Sequence, residues 1–203
     1  MNYYTGVGSR NTPVWCRIAM EDIAASLAGK GYSLRSGSAQ GADSAFEIGA
    51  DNACGAGDIY IPWSGFGTGR PTMFKDYHVL TNKQFEVARD LYIETGIIPH
   101  FNEMKQAAQK LHARNYLQVV GHGVTVNPSK VCLYYAEEDW ITGEPEGGTR
   151  SAVMLSRHFG VPIYNLMNQE HFKKVQKITG IRPREWYIDN QDRISSMTDR
   201  SKM

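Results

Sequence analysis

The sequence has little cysteine, no excess of either charge and no long apolar run, and each absence removes a class of protein. Its three cysteines, Cys16, Cys54 and Cys132, are odd in number and far apart. Neither a disulfide framework nor a zinc-binding spacing is present, and the pattern fits a reducing cytoplasm. Net charge is +1, from 22 Lys+Arg against 21 Asp+Glu, so bulk electrostatics give no case for a nucleic-acid or membrane partner. The balance hides a mild asymmetry, with 8 basic against 10 acidic residues in 1–100 and 14 against 11 in 101–203. No stretch approaches the ~20 apolar residues of a membrane span, and the first residues carry no apolar signal region. There is no P-loop Gly-Lys-Ser/Thr, and Gly6-Val7-Gly8 lacks the third glycine of a dinucleotide fingerprint. Internal repeats, heptads and low-complexity segments are also missing. A cytoplasmic protein with no cofactor, no metal set and no membrane partner is expected.

What is present is a series of strands that turn through glycines into helices. With 203 residues and 41% hydrophobic composition, the chain fits one domain with a full core. Asn2 to Val7 reads as a buried strand ending in Gly6-Val7-Gly8-Ser9-Arg10. Asn11-Thr12-Pro13 then offers a capping hydroxyl and a Pro at the first helical position, for a helix through Ile18, Ile23 and Leu27 that stops at Gly29-Lys30-Gly31. Gly31 to Leu34 has strand character and Ala42 to Ala50 favours helix. Asp58 to Trp63 is a third strand ended by Pro62, followed by a long loop, Ser64 to Pro71. Residues 82–121 read as helical with a break at Gly96 to His100. Lys130 to Tyr135 is a strand, Ser151 to His158 a helix and Val161 to Leu166 the last core strand. Repeated strand–glycine turn–helix units imply parallel strands. The expected fold class is therefore α/β, a Rossmann-like three-layer sandwich with a mainly parallel central sheet. The expected domain spans 1–180 and includes a helical insertion at about 80–121, and 181–203 is a polar C-terminal tail.

The turn Ser36-Gly37-Ser38-Ala39-Gln40-Gly41 is the most informative stretch. A strand that turns through small residues into a helix leaves free backbone N–H groups at the helix N-terminus, which suit a phosphate or another anion. The alternative is a tight connection that holds no ligand. Gly147-Gly148-Thr149 opens a second helix in the same way, and two such turns at the carboxyl edge of one sheet strengthen the case for a phosphate-bearing ligand. Arg10, Arg35 and Arg150 are placed to add charge-assisted contacts. Trp63 and Phe66 are either stacking platforms for a base or lid residues packed on the core. Asp43 either caps its helix or binds a ribose hydroxyl. Glu47 lies one turn after Asp43 on the same side.

Tyr4-Thr5-Gly6-Val7-Gly8-Ser9-Arg10, Leu34 to Asp43 and Gly147-Gly148-Thr149, in that order, resemble the Smf/DprA–LOG (SLOG) superfamily. The block Leu111-His112-Ala113-Arg114-Asn115 is similar to small members found in phages and bacteria. The resemblance covers roughly residues 2–166. It implies a Rossmann-like domain that binds a nucleotide or nucleic acid through Gly8, Ser9, Arg10, Arg35, Ser36, Gly37, Ser38, Gln40, Gly41, Asp43, Trp63, Arg114, Gly147, Gly148, Thr149 and Arg150, in a homodimer or higher homo-oligomer.

Three functions follow from the resemblance. The leading one is a sensor or sequestering protein for a small nucleotide, such as a nucleoside phosphate or an ADP-ribose-type signal. The second is LOG-like hydrolysis of the N-glycosidic bond of a nucleoside monophosphate. LOG enzymes carry Pro-Gly-Gly-x-Gly-Thr-x-x-Glu, whereas Ala152 stands here where that glutamate would follow, so Glu47, Asp43 or Glu146 would have to supply the carboxylate. The third is DprA-like binding of single-stranded DNA, which wants a basic groove with aromatic platforms.

Overall fold

The computed structural model describes residues 1–67, 72–123 and 125–181. Strands and helices alternate as β1 (Asn2–Gly8), α1 (Val14–Gly29), β2 (Tyr32–Ser36), α2 (Ala42–Asn52), β3 (Gly57–Ile61), β4 (Lys75–Val79), α3 (Asn82–Thr95), α4 (Gln106–Val120), β5 (Val131–Tyr135), α5 (Thr149–His158), β6 (Ile163–Asn165) and α6 (Gln169–Thr179). The strands form one six-stranded sheet in the order β4-β3-β2-β1-β5-β6, with every pairing parallel. The chain builds outward from β1 in one direction and then restarts on its other side with β5. A crevice opens at such a reversal, beyond the carboxyl ends of the strands.

Side chains alternate across the sheet because strand residues point to opposite faces. On one face Tyr4, Leu34, Ile59 and Leu133 pack with Cys16, Met20 and Ile23 of α1 and Phe46 of α2. On the other, Val7, Tyr60 and Tyr134 pack with Tyr92 of α3, Leu117 of α4 and Leu155 of α5. This is the expected three-layer sandwich. Residues 82–120 supply α3 and α4 to the second helical layer, and α4 is tied to the central strand by Thr5 Oγ1, which donates to the Gln118 carbonyl at 2.7 Å.

Three local features differ from the sequence expectation. Thr12 does not cap α1. Its hydroxyl donates to the Ser9 carbonyl at 2.6 Å, and Pro13 occupies the cap position with no side-chain hydrogen bond. The sequence expectation assigns no strand to Lys75–Val79, because Lys-Asp-Tyr-His-Val has no apolar run; among the described residues it is an edge strand paired to β3 alone. α6 was also unassigned, although Asn168 caps it by accepting from the Glu170 and His171 amides and Gly180 ends it in the left-handed conformation. Residues 68–71 of the long loop and 182–203 of the tail lie outside the described residues.

Candidate functional site

A cavity of about 430 Å3 opens at the carboxyl edge between β1 and β5. It is lined by Val7 to Arg10 at the end of β1 and just after it, by Ala39 and Asp43, by one face of α4 (Leu111, His112, Arg114, Asn115, Gln118) and by Glu146 to Thr149 at the start of α5. Helical spacing explains the α4 contribution, since residues three and four apart share a face. Gly147 and Gly148 have no heavy atom within 4 Å of the position a Cβ would take. A ligand can therefore approach the N-terminus of α5 closely, where amide donors and the helix dipole favour an anion.

Of the sequence-expected residues, Gly8, Ser9, Arg10, Asp43, Arg114, Gly147, Gly148 and Thr149 line this cavity. The turn between β2 and α2 has a different role. Its backbone donors are taken up by the protein's own side chains: Ser38 N–H donates to Glu47 Oε1 at 2.8 Å and Ala39 N–H to Asp43 Oδ2 at 3.4 Å. With the Gln118 amide oriented so that its oxygen faces donors, that oxygen accepts from Gly37 N–H at 2.9 Å and from Arg114 Nη1 at 2.7 Å. Ser36 Oγ donates to the Gly6 carbonyl at 2.8 Å, Gln40 is exposed, and Gly41 packs on the carbonyls of Ser9 and Arg10. Internal carboxylates thus stand where the sequence expectation put a phosphate, and Ser36, Gly37, Ser38, Gln40 and Gly41 are not among the lining residues.

Glu47 belongs to the same substructure. It is 4% exposed, Tyr77 OH donates to its Oε2 at 2.8 Å, and Lys75 Nζ, which pairs at 2.6 Å with Asp51, is 3.9 Å away. Burial pushes its carboxyl up to about 7, against the lowering pull of Tyr77 and Lys75. It is positioned to hold the turn and not to meet a ligand. Asp43 sits between turn and cavity, 3.3 Å from Arg114 Nη1. Burial pushes its carboxyl up, and the Arg114 guanidinium opposes that shift.

Two arginines and Trp63 are placed elsewhere. Arg35 leaves the cavity and donates to the Asn127 carbonyl at 2.7 Å and the Val119 carbonyl at 3.3 Å. Arg150 pairs with Glu144 Oε2 at 2.6 Å and bonds the Ile97 carbonyl. Trp63 packs edge-on against Phe66, with ring centroids 5.3 Å apart, and Phe66 lies 5.6 Å from the Arg114 guanidinium carbon. Neither aromatic residue lines the cavity.

The structure adds a polar chain along α4 whose roles were not assigned from sequence. Gln118 donates to Asn115 Oδ1 at 2.7 Å. Asn115 Nδ2 donates to the Gly148 carbonyl at 2.9 Å and to Ser151 Oγ at 2.7 Å. Ser151 Oγ is 3.0 Å from His112 Nδ1 and 3.3 Å from the Gly148 carbonyl. Nδ1 is the nearer acceptor, so the Ser151 hydroxyl donates to it, leaving Nε2–H as the ring's donor. Burial first, then Arg114 and Arg150, lowers the His112 pKa and favours this neutral ring. The block Leu111 to Asn115 was the signal; its face on α4 required the fold.

No protein-family model matches the chain, and no curated protein matches it. Solved structures that overlay on it include the structural-genomics target TM1055, at 15% identity and TM-score 0.48 over 81% of this chain and 73% of that one. The Moco carrier protein of Chlamydomonas rheinhardtii overlays at 17% identity and TM-score 0.47, over 86% and 81%. DNA processing protein A from Helicobacter pylori, described for its single-stranded DNA binding mode, overlays at 15% identity and TM-score 0.46, over 98% and 80%.

Proposed function

We propose that this protein binds a small phosphate-bearing nucleotide, a nucleoside phosphate or an ADP-ribose-type molecule, in the cavity between β1 and β5, as a sensor or sequestering protein. The observation that carries the reading is the pairing, across one cavity, of the α5 N-terminus at Gly147–Thr149 with the side chains of Arg10 and Arg114. Arg114 is 6% exposed, and its Nε is buried with no hydrogen-bond partner among the described residues. A buried cation with spare donors suits an anion. Val7, Ala108, Leu111 and Ala152 line the same cavity, so a polar phosphate end adjoins an apolar wall for a base or sugar face. A volume of about 430 Å3 lies in the range of small-molecule sites.

One observation favours N-glycosidic hydrolysis as a second reading. Glu146 lines the cavity beside the α5 N-terminus, whereas Glu47 is held under the turn by Ser38 and Tyr77. If a base is cleaved, Glu146 is the carboxylate in position and His112 Nε2–H a hydrogen-bond donor to the departing base.

The deciding experiment is a thermal-shift screen of the full chain against nucleoside monophosphates, ADP-ribose and its cyclic forms, cyclic oligonucleotides and short single-stranded DNA, with product analysis of each hit. Stabilisation by an intact nucleotide, lost in Arg114→Lys, is the expected result. Release of free base that Glu146→Gln abolishes would establish the hydrolase. A response to DNA alone, falling steeply with salt, would overturn both.

A further inference from the structure

A second cluster of side chains lies on the helix-α4 face of the sheet, away from the cavity. Asp58 comes from the second position of β3, His78 from β4 and His122 from the segment after α4. His78 Nε2 is 3.1 Å from Asp58 Oδ1. The imidazoles of His78 and His122 stack with centroids 4.0 Å apart and an interplanar angle of 27°. One nitrogen of each ring and one carboxylate oxygen all lie within 4.8 Å of one another.

A supporting group orders this cluster. The Tyr60 hydroxyl is 3.1 Å from His122 Nδ1 and 3.4 Å from Asp58 Oδ2. The arrangement that satisfies both contacts has His122 Nδ1–H donating to the Tyr60 oxygen and the Tyr60 hydroxyl donating to Asp58 Oδ2. It leaves a lone pair on His122 Nε2, and Asp58 Oδ1 faces His78 Nε2. Outer groups that fix a ring tautomer and orient a carboxylate in this way are the usual companions of metal ligands.

We propose that Asp58, His78 and His122 bind a divalent first-row transition cation, with zinc as the physiological class. Two imidazoles and one carboxylate form a borderline donor set that suits zinc and cobalt rather than magnesium or calcium. In a tetrahedral site with bonds near 2.0–2.1 Å, neighbouring ligand atoms stand about 3.3 Å apart. The 3.1 Å separation of His78 Nε2 and Asp58 Oδ1 already approaches this, so the cation replaces the proton shared between them. His122, on the exposed side, supplies the third ligand by a small ring movement. A hollow of about 620 Å3 lined by Asp58 and His122 gives water access to the fourth position. Arg35 lines the same hollow and opposes a cation, but its guanidinium is held by two backbone carbonyls. The bound ion would clamp edge strand β4 and the segment at His122 onto β3. This site is independent of the nucleotide cavity.

The test is titration of the chelator-treated full chain with Co2+ and Zn2+, followed by calorimetry, visible absorption of the cobalt form and thermal shift, with Mg2+ as control. One saturable equivalent of Co2+ displaceable by Zn2+, a raised midpoint of unfolding and no response to Mg2+ are expected. His122→Ala, at an exposed position that leaves the fold intact, weakens binding at least about 10-fold, as does His78→Gln, and Tyr60→Phe weakens it about 10-fold through the lost support. Absence of saturable binding, or binding that survives either histidine substitution, overturns the assignment.

Discussion

Glu47 Oε1 lies 2.8 Å from the backbone nitrogen of Ser38, inside the turn that joins β2 to α2. The protein supplies from its own second helical turn the oxygen acceptor that such a turn commonly takes from a ligand. Asp43 does the same for Ala39. The helix N-terminus left open at the cavity is that of α5, whose opening glycines have open space before them. One strand–glycine–helix unit is a structural clasp and the other borders the cavity, although the two look alike as sequence.

Glu47 should give the protein a distinctive stability profile. Its carboxyl is raised from 4.5 to about 7 in the fold, by burial above all. It binds its proton more tightly folded than unfolded, so its contribution is complete below about pH 4.5 and is lost as pH rises through about 7. The shift corresponds to about 3 kcal/mol at 1.36 kcal/mol per pH unit. Glu47→Gln should remove this loss, leaving the variant at least as stable as the parent at pH 8 and little changed at pH 4.5. Urea unfolding at the two pH values checks it, and a variant markedly less stable at pH 8 would refute it. Nucleotide affinity should not change, because Glu47 is outside the cavity lining.

The parallel sheet and its order of glycine turns were legible because each strand, turn and helix carries its signal locally. Edge strand β4 was not, since a strand buried on one side needs no apolar run and Lys75 hides its charge against Asp51 and Glu47. Half of the site was legible for the same reason: Gly8 to Arg10 and Gly147 to Thr149 end or begin elements, and element ends at one sheet edge converge. Arg35 and Arg150 were misplaced because sequence gives adjacency to a turn but not the direction of a side chain. A strand residue one position away points to the opposite face, and Arg35 does so beside Ser36. The Asp58–His78–His122 cluster joins three segments with no common spacing, so no motif announces it.

The buried pair of Arg114 and Asp43, 3.3 Å apart, should be costly to break from one side. Arg114→Met leaves the Asp43 carboxylate buried without its guanidinium, and a loss of about 3–5 kcal/mol is expected. Adding Asp43→Asn should recover at least about 1 kcal/mol of it, since a neutral amide tolerates that site better. Chemical unfolding of the two single variants and the double variant measures the coupling. Strict additivity would show that the pair is not coupled in solution.

His112 should titrate below the ordinary imidazole value of 6.5, because burial and then Arg114 and Arg150 disfavour its charged form. A depressed folded pKa means that its contribution to stability is present above about 6.5 and is lost as pH falls through the folded value. Nitrogen-15 spectra of the histidine rings should show the Nε2–H tautomer for His112, with Nδ1 accepting from Ser151. Ser151→Ala should equalise the tautomers and cost about 1–3 kcal/mol by stranding the Asn115 amide. A parent protein already showing Nδ1–H would sink this assignment of the Ser151–His112 hydrogen bond.

Gly37 and Gly147 should respond very differently to the same substitution. A Cβ at Gly37 would fall 1.1 Å from Arg114 Nη1 and 2.4 Å from the Gln118 amide oxygen, so Gly37→Ala must expel the buried guanidinium from its place beside Asp43. The expected loss is about 3 kcal/mol or more, from overpacking and a broken buried pair together, with nucleotide binding lost as well. Gly147 has a φ of +65° and no heavy atom near its missing Cβ. Gly147→Ala therefore costs only the left-handed backbone conformation, about 1 kcal/mol, and leaves Arg114 in place. Thermal and urea unfolding of the two variants side by side would separate these effects. Comparable losses would mean that Arg114 does not rest on the Gly37 backbone, and the cavity would then lack its buried cation.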